Sequence, residues 1–333
     1  MQKNGIECDL YTGDSVDIFY SADEWQHAQE AVAAMKDSMP TELASVARYT
    51  FWTAEEARER FHVNGEECFG AVSYQAGSLS AYRAVIGILK LCLGMGMQLY
   101  TNMPATHLER NSSGIWEVET PKGKLRAKRV VLATNAYTAA IWPAFQGAVV
   151  PLRGQITAQI PPSTLPTLPT TYSFIYKAGY EYMIPKPLYS KYPPHPRDIV
   201  IGGGTATLPN EGAEEFGITD DSSLNPALSS YLRDRTKRSF EDANGKTEEW
   251  KVRKEWTGIM GFTGDEMPFI GRVPGEEGLW IAAAFQGHGM VFCWGCAKAL
   301  ALMIEGEEGG GEAFPGVFMV SRERMGVVFG GRH

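Results

Sequence analysis

The stretch from Trp256 to Met290 constrains this chain more than any other. It reads Trp256-Thr257-Gly258-Ile259-Met260-Gly261-Phe262-Thr263, then Pro268-Phe269-Ile270-Gly271, then Gly278-Leu279-Trp280-Ile281-Ala282-Ala283-Ala284-Phe285-Gln286-Gly287-His288-Gly289-Met290. An apolar strand feeds a Gly-x-Gly turn, and an apolar helix follows directly. With no Cβ at 287 and 289, a flat ligand can lie against the backbone. The helix start offers bare N–H groups and a partial positive charge of about half a unit, which suits something electron-rich. An absence is equally informative: no Gly-x-Gly-x-x-Gly stands near the start of the sequence, where a nucleotide-binding enzyme of this kind would carry it.

The rest of the pattern falls into two blocks. Asp23 to Met39 has apolar spacing through Trp25, Ala28, Val32 and Met35, which predicts an amphipathic helix capped at Ser21 or Asp23 and ended by Pro40. Thr53 to Phe61 predicts a short helix with a capping box formed by Thr53 and Glu56. Gly70 to Gln75 alternates as a strand, and Ser80 to Met95 reads as a long helix stopped by Gly94 and Gly96. Gln98 to Thr101 then predicts a strand. Ala105–Glu109, Gly114–Thr120 and Gly123–Ala127 predict a meander that turns at residues 121–123, and Arg129–Ala133 a short buried strand.

Helix, strand, meander and buried strand make the second half of a doubly wound nucleotide-binding sheet. The first half is not in the sequence. Pro161 to Thr170 marks a connection. Tyr172–Tyr189, Asp198–Gly202 and Val252–Trp256 have strand character, and Leu224–Phe240 reads as a helix with a basic face. Trp280–Phe285 reads as a buried strand, Val291–Ile304 as a buried helix and Glu305–Gly311 as a flexible acidic glycine run. The expected fold class is α/β: an incomplete doubly wound domain with an antiparallel-sheet substrate domain of α+β character. The expected divisions are 1–77 (a segment of the substrate cap with a remnant of the N-terminal region), 78–152 (nucleotide-binding domain), 153–251 (substrate cap) and 252–333 (nucleotide-binding domain again).

Composition narrows the partners. The 333 residues are 44% apolar and 21% charged with a net charge of −8, which suits a folded protein with a real core and argues against nucleic acid. Five cysteines, Cys8, Cys68, Cys92, Cys293 and Cys296, are too sparse for a disulfide framework and lack the spacing of a zinc site. Cys293-Trp294-Gly295-Cys296 has redox spacing but lies inside an apolar helix, which favours packing. With no apolar leader in Met1–Leu10 and no run of membrane-spanning length, the expectation is a cytoplasmic protein with no membrane partner and no metal.

Several stretches suit a ligand site, and each has a plain alternative. Gly287-His288-Gly289-Met290 would stabilise negative charge at the pyrimidine edge of a reduced flavin, or serve only as a strand–helix turn. Ala133, Thr134 and Asn135 end a buried strand at the sheet edge where doubly wound folds bind ligands, as strands commonly end. Arg153, followed by Gly154 and Gln155, suits a carboxylate clamp or a flavin edge, against a solvated arginine at a turn. Tyr172, Tyr176, Tyr180 and Tyr182 would wall an amine pocket through cation–π attraction, or line an exposed strand face.

Together these segments resemble FAD-dependent oxidoreductases of the D-amino-acid oxidase and glycine oxidase superfamily, and within it the γ-glutamylputrescine oxidase-like branch. The resemblance runs over nearly the whole chain and rests on Gly13–Asp17, Gly77–Ser80, Val130–Asn135, Pro151–Gln155 and Trp256–Met290. It implies non-covalent FAD bordered by Ala105, Ala133, Thr134, Asn135, Arg153, Gly154, Gln155, Gly258, Gly287, His288, Gly289 and Met290. Arg153, Tyr182 and His288 are the implied catalytic residues, and the substrate is a small amine or amino acid. No cysteine lies at 256–260, where some relatives attach flavin covalently. The family's N-terminal pyrophosphate loop is missing; the resemblance implies an FAD-dependent oxidoreductase that oxidises a C–N bond by passing a hydride to the flavin, with a truncated non-catalytic homologue or binding protein that no longer holds FAD as the alternative. The sheet left without its central strand predicts self-association through its edge.

Overall fold

The computed structural model describes residues 2–41, 45–64, 68–177, 179–187, 197–240, 249–311 and 314–330. The strands are β1 (Tyr11–Phe19), β2 (Tyr49–Thr53), β3 (Gly70–Ser78), β4 (His107–Arg110), β5 (Trp116–Thr120), β6 (Gly123–Ala127), β7 (Val130–Leu132), β8 (Val150–Ile160), β9 (Thr171–Tyr176), β10 (Gly179–Pro185), β11 (Ile199–Gly203), β12 (Lys251–Phe262), β13 (Phe269–Arg272) and β14 (Leu279–Ala283). The helices are α1 (Ala22–Ser38), α2 (Ala54–Phe61), α3 (Ala81–Gly94), α4 (Thr138–Ile141), α5 (Pro226–Phe240), α6 (Gly289–Glu305) and α7 (Arg322–Met325). The chain divides into two compact units. One comprises Met1–Met95, Gly154–Gly212 and Ser222–Thr257, the other Gly96–Arg153, Ala213–Asp221 and Gly258–His333.

The first unit is organised by an eight-stranded sheet in the order β12-β8-β11-β10-β9-β1-β3-β2. Strand β1 runs parallel to β9, while β1–β3, β2–β3, β9–β10, β10–β11 and β8–β11 are antiparallel. Alternation sends Val16, Ile18, Tyr172, Phe174, Met183, Ile199 and Ile201 to one face, where they form a core with Phe61 of α2 and Leu232 of α5. The α2 start is as the sequence predicts. Thr53 accepts from the Glu56 backbone while the Glu56 carboxylate accepts from the Thr53 backbone, and Glu56 is held below its ordinary range by those bonds. Ser21, not Asp23, caps α1. The tyrosine-rich stretch is two strands, β9 and β10; Tyr189 lies outside the described residues.

Helix α5 is tied to this core by buried polar groups. Gln159 donates to Leu232 O and Thr236 Oγ1, at 3.2 and 3.0 Å. Tyr231 donates to the buried Glu181 carboxylate at 2.6 Å. Arg235 lies over the rings of Tyr20 and Tyr176, at 4.9 and 4.4 Å, with its Nε 3.9 Å from Glu181. Burial pushes Glu181 from 4.5 up to about 7, against the opposing effect of the Tyr231 hydrogen bond.

The second unit holds two three-stranded sheets, β13-β14-β7 and β4-β5-β6. Strand β14 runs parallel to β7 and antiparallel to β13. Its core joins Trp116, Phe145, Phe269, Leu279 and Ile281. Arg324 closes it. All five guanidinium N–H groups are used, two on Asp265, one each on Pro268 O, Met319 O and Met267 O, and the plane sits 4.6 Å from the Phe269 ring.

Three expectations need correction. Gln98–Thr101 is not a strand: Leu99 and Tyr100 are exposed, and no strand stands beside the segment to complete its hydrogen bonds among the described residues. Helix α6 is apolar but not buried throughout; Cys296, Ala299, Leu300 and Met303 face the core while Val291 and Trp294 are 73% and 71% exposed. The Glu305–Gly311 run is folded locally: Gly306 caps α6 at φ 105°, Glu308–Gly310 forms a 3₁₀ turn, and a Cβ at Gly310 would lie 2.6 Å from Met303 and 2.9 Å from Ala299.

The raised Glu181 carboxyl makes stability depend on pH. The folded form keeps this proton in a range where the unfolded chain has lost it. The stabilisation is therefore full below about pH 4.5 and is lost as pH rises through about 7. Thermal melts of Glu181→Gln between pH 5 and 8 should lose less stability with rising pH than the parent; parallel curves would contradict this.

Candidate functional site

The second unit brings two distant segments together at one end of its parallel strand pair. The side chain of Asn135, just past β7, accepts from Ala284 N at 2.9 Å and Phe285 N at 3.5 Å, just past β14. Asn135 itself is left-handed, φ 43°, as are Ala284 at 60° and Gln286 at 53°. Left-handed non-glycine residues are costly and persist only where their surroundings hold them. Here the holding groups are visible. Gln286 N donates to Gly261 O at 3.1 Å, and the Gln286 amide donates to Thr263 Oγ1 at 2.7 Å and Ala284 O at 3.1 Å. Gly261 is required for this approach: a Cβ there would lie 3.0 Å from Ala136 N, 3.0 Å from Asn135 Oδ1 and 3.1 Å from Ala284 Cα.

The turn then runs into α6. Gly287 takes φ 75°, a conformation that favours glycine. His288 N donates to Phe285 O at 2.7 Å, and His288 O accepts from Val291 and Phe292. Gly289 and Met290 supply the helix's leading N–H groups, which have no intrahelical acceptor. His288 is exposed, and its Nδ1 donates to Gln286 O at 2.8 Å, since a carbonyl oxygen can only accept. The Gln286 Oε1 atom is buried with no donor among the described residues. Bare N–H groups, a glycine whose Cβ would approach Met260 Sδ to 3.6 Å, and an orphaned amide oxygen make a cradle for a flat group that offers both acceptors and donors. A flavin's pyrimidine edge has that character.

The other expected residues divide between the units. Ala133 and Thr134 lie beside Asn135, with Thr134 Oγ1 2.9 Å from Thr138 Oγ1. Gly258 is on β12, and a Cβ there would meet nothing. Ala105 precedes the meander and takes no part in the Asn135 network. Arg153 is neither a turn residue nor solvated: it lies on β8 and forms a two-pronged pair with Glu215, at 2.7 and 3.2 Å. Gly154 and Gln155 belong to the first unit. There the Gln155 amide is committed to the start of α5, donating to Ser229 Oγ at 2.8 Å and accepting from Asn225 N at 2.7 Å. Tyr182, also in the first unit, lies across Gly202, where a Cβ would come within 2.6 Å of its hydroxyl, and burial pushes it up to about 12.

Sequence reasoning missed Gly261, Thr263 and Gln286, the residues that shape the turn. The close spacing of Gly258 and Gly261 on an apolar strand was the available signal. Among the described residues no cluster suits a metal ion. Both Cys293, exposed, and Cys296, buried, are free thiols raised by burial. Replacing Asn135 by alanine strands the Ala284 N–H and releases a strained turn. The variant should lose about 1–3 kcal/mol of stability in urea titration, whereas a loss below about 0.5 kcal/mol would mean that the turn holds itself.

The profile of the DAO family, FAD dependent oxidoreductase, matches residues 1–303. Glycine oxidase of Pseudomonas aeruginosa is 21% identical over 202 residues, covering 60% of this chain and 48% of that protein. Human mitochondrial dimethylglycine dehydrogenase is 25% identical over 236 residues, 68% of this chain and 26% of that one. This chain thus spans about half the length of the first relative and a quarter of the second. The crystal structure of glycine oxidase from Geobacillus kaustophilus superposes with a TM-score of 0.75 at 19% identity, over 96% of this chain and 78% of that one, which establishes the mixed α/β fold. With the family profile matched over residues 1–303, the chain belongs to the DAO family of FAD-dependent oxidoreductases.

Proposed function

We propose that this chain oxidises a C–N bond of an amine or amino acid with non-covalently held FAD. The turn at residues 284–290 carries the reading. Bound FAD would supply the two-electron acceptor for the C–H beside the amine nitrogen. Gly287, Gly289 and Met290 present bare backbone to its pyrimidine edge, and the α6 dipole favours negative charge there. Asn135 fixes the turn, while Ala133 and Thr134 border the cofactor. Ala105, Gly154, Gln155 and Gly258 would add contacts; for Gln155 these come through its backbone, because its amide is spent on α5. His288 offers its exposed imidazole, and Tyr182 an apolar ring with a hydroxyl. Arg153, already paired to Glu215, would act as a fixed guanidinium that a substrate carboxylate must share. Glycine and dimethylglycine, named for the relatives, support the small amine or amino-acid class. The motifs at Gly13–Asp17 and Gly77–Ser80 support a reading within the γ-glutamylputrescine oxidase-like branch.

A second reading, a homologue that no longer holds FAD and does not catalyse, is favoured by specific surfaces. No Gly-x-Gly-x-x-Gly occurs in these 333 residues to take a pyrophosphate. Strand β7 has β14 on one side and, among the described residues, no strand on the other, with Val131 43% exposed. In the first unit α3 is rich in Ile and Leu, yet Ala84 is its one buried residue. Parallel sheets are ordinarily covered on both faces, so these surfaces fit a family member lacking part of its nucleotide-binding half.

The deciding experiment is the visible spectrum of the purified chain after incubation with FAD and desalting, followed by anaerobic addition of amines. Flavin bands retained at near one equivalent and bleached by an amine are expected; a colourless protein supports the second reading. Light scattering should show self-association through the β7 edge, and a clean monomer would contradict it.

A further inference from the structure

The first unit holds a cavity of about 220 Å³, and none of the residues implied for the flavin or for catalysis lines it. Its walls are the ends of β1, β3, β9, β10 and β11 and the connection from β8 to β9. That connection is pinned in place. The Tyr11 hydroxyl donates to Pro169 O at 3.4 Å, the Thr170 hydroxyl donates to Asp14 O, and Leu165 N donates to Pro162 O at 3.2 Å. Leu165 is itself buried in the core of the unit. Leu165, Leu168, Ile199 and five prolines give the cavity an apolar, preformed lining.

Its charge has one sign. Lys186 and Arg197 line the cavity, and no aspartate or glutamate does. Register sets the two cations at the same end of the sheet: Pro185 pairs with Ile199, and one step beyond, Lys186 N donates to Asp198 O at 2.8 Å. Arg197 is left-handed, φ 76°, a conformation that persists only where its surroundings hold it. Its guanidinium donates to Leu165 O, which fixes the side chain against the cavity wall. The carboxylates nearest in sequence are engaged elsewhere. Asp198 forms a two-pronged pair with Arg253, and Glu181, the one acidic residue from Leu152 to Arg197, accepts from Tyr231. In a chain of net charge −8 this is a positive rim on an apolar cavity.

We propose that this cavity binds a small apolar monocarboxylate, with its hydrocarbon body against Leu165, Leu168 and Ile199 and its carboxylate on Lys186 and Arg197. The volume lies below the roughly 300–1,000 Å³ of sites that take drug-sized ligands, which suits a short chain. A carboxylate fits better than a phosphate. The five prolines carry no N–H, so the lining is poor in the backbone donors that three phosphoryl oxygens need, whereas a guanidinium and an ammonium match two carboxylate oxygens. An amino acid is refused, because its ammonium would face two cations with no acidic side chain to receive it. The ligand is therefore neither the amine nor the amino acid of the oxidation reading, and the proposal does not rest on that reading.

Calorimetry on the full chain in a carboxylate-free buffer tests this, with hexanoate, acetate, hexan-1-ol, L-norleucine and inorganic phosphate as probes. Hexanoate should bind about tenfold or more tightly than hexan-1-ol, the worth of one hydrogen bond to a charged group. Each buried methylene is worth about fourfold, so acetate should also bind at least tenfold more weakly than hexanoate. Norleucine and phosphate should bind more weakly than hexanoate. Hexan-1-ol or norleucine equal to hexanoate would remove the charge argument, and acetate or phosphate equal to it would leave only ion pairing at the surface; either result overturns the proposal. Lys186→Gln and Arg197→Gln should each weaken hexanoate about tenfold and leave hexan-1-ol unchanged. Lys186 is exposed, so Lys186→Gln decides alone should Arg197→Gln fail to fold. Hexanoate binding that survives Lys186→Gln unchanged places the ligand elsewhere and overturns the site.

Discussion

The Asn135 carboxamide is the joint on which the second unit's site depends. It accepts backbone N–H groups from residues 149 and 150 positions away, and so ties the end of β7 to the turn after β14. Parallel strands cannot be joined by a tight turn, so the register at their ends must be fixed by something other than a connecting loop. Here a side chain does it. The consequence reaches further than one hydrogen bond. Ala284 and Gln286 are left-handed only because Asn135, Gly261 and Thr263 together hold the chain there, and that conformation sets where α6 begins. The α6 dipole is useful to a ligand only if its first turn is aimed, and the aim comes from this network.

Much of this architecture was legible, because its signals were local. A capping box, a Gly-x-Gly turn, an alternating strand and a Pro-rich connection each act over a few residues. The structure has them at α2, before α6, in β3 and after β8. What the sequence hid depended on distant partners. Gln98–Thr101 carries strand-like residues but has no neighbour to pair with, and a strand exists only as part of a ladder. The pairing of Arg153 was invisible because Glu215 lies 62 positions later in the chain. The engagement of the Gln155 amide with the start of α5 was hidden for the same reason, because its partners are 70 to 74 positions away.

The charges tell a consistent story within each unit. In the second unit the guanidinium best placed by sequence to seize an anion is already matched by the nearly buried Glu215 carboxylate, a geometry that suits Arg and is costly to break. In the first unit Asp198 and Arg253 pair at 2.5 and 3.1 Å, and Arg233 pairs with Glu255. Against this habit of pairing, Lys186 and Arg197 stand out. They line a cavity with no carboxylate in its wall, so their charge is placed there but not neutralised by it.

Apolar content in a helix states that something must cover it, not what. In α5 the covering surface is the sheet of its own unit, and the helix turns Leu228, Leu232 and Thr236 toward it with Arg233 and Arg238 away. In α6 the apolar residues run almost all round, yet one stripe alone meets the core. Met290, Val291 and Trp294 at its first turns remain outside, beside the N–H groups that suit a flavin. A helix that needed only to pack against β13 and β14 would need apolar residues on one face. The surplus is concentrated at the end where the ligand turn lies, so the hydrophobicity there is better explained by a second layer, whether ligand or polypeptide, than by the packing of this unit alone.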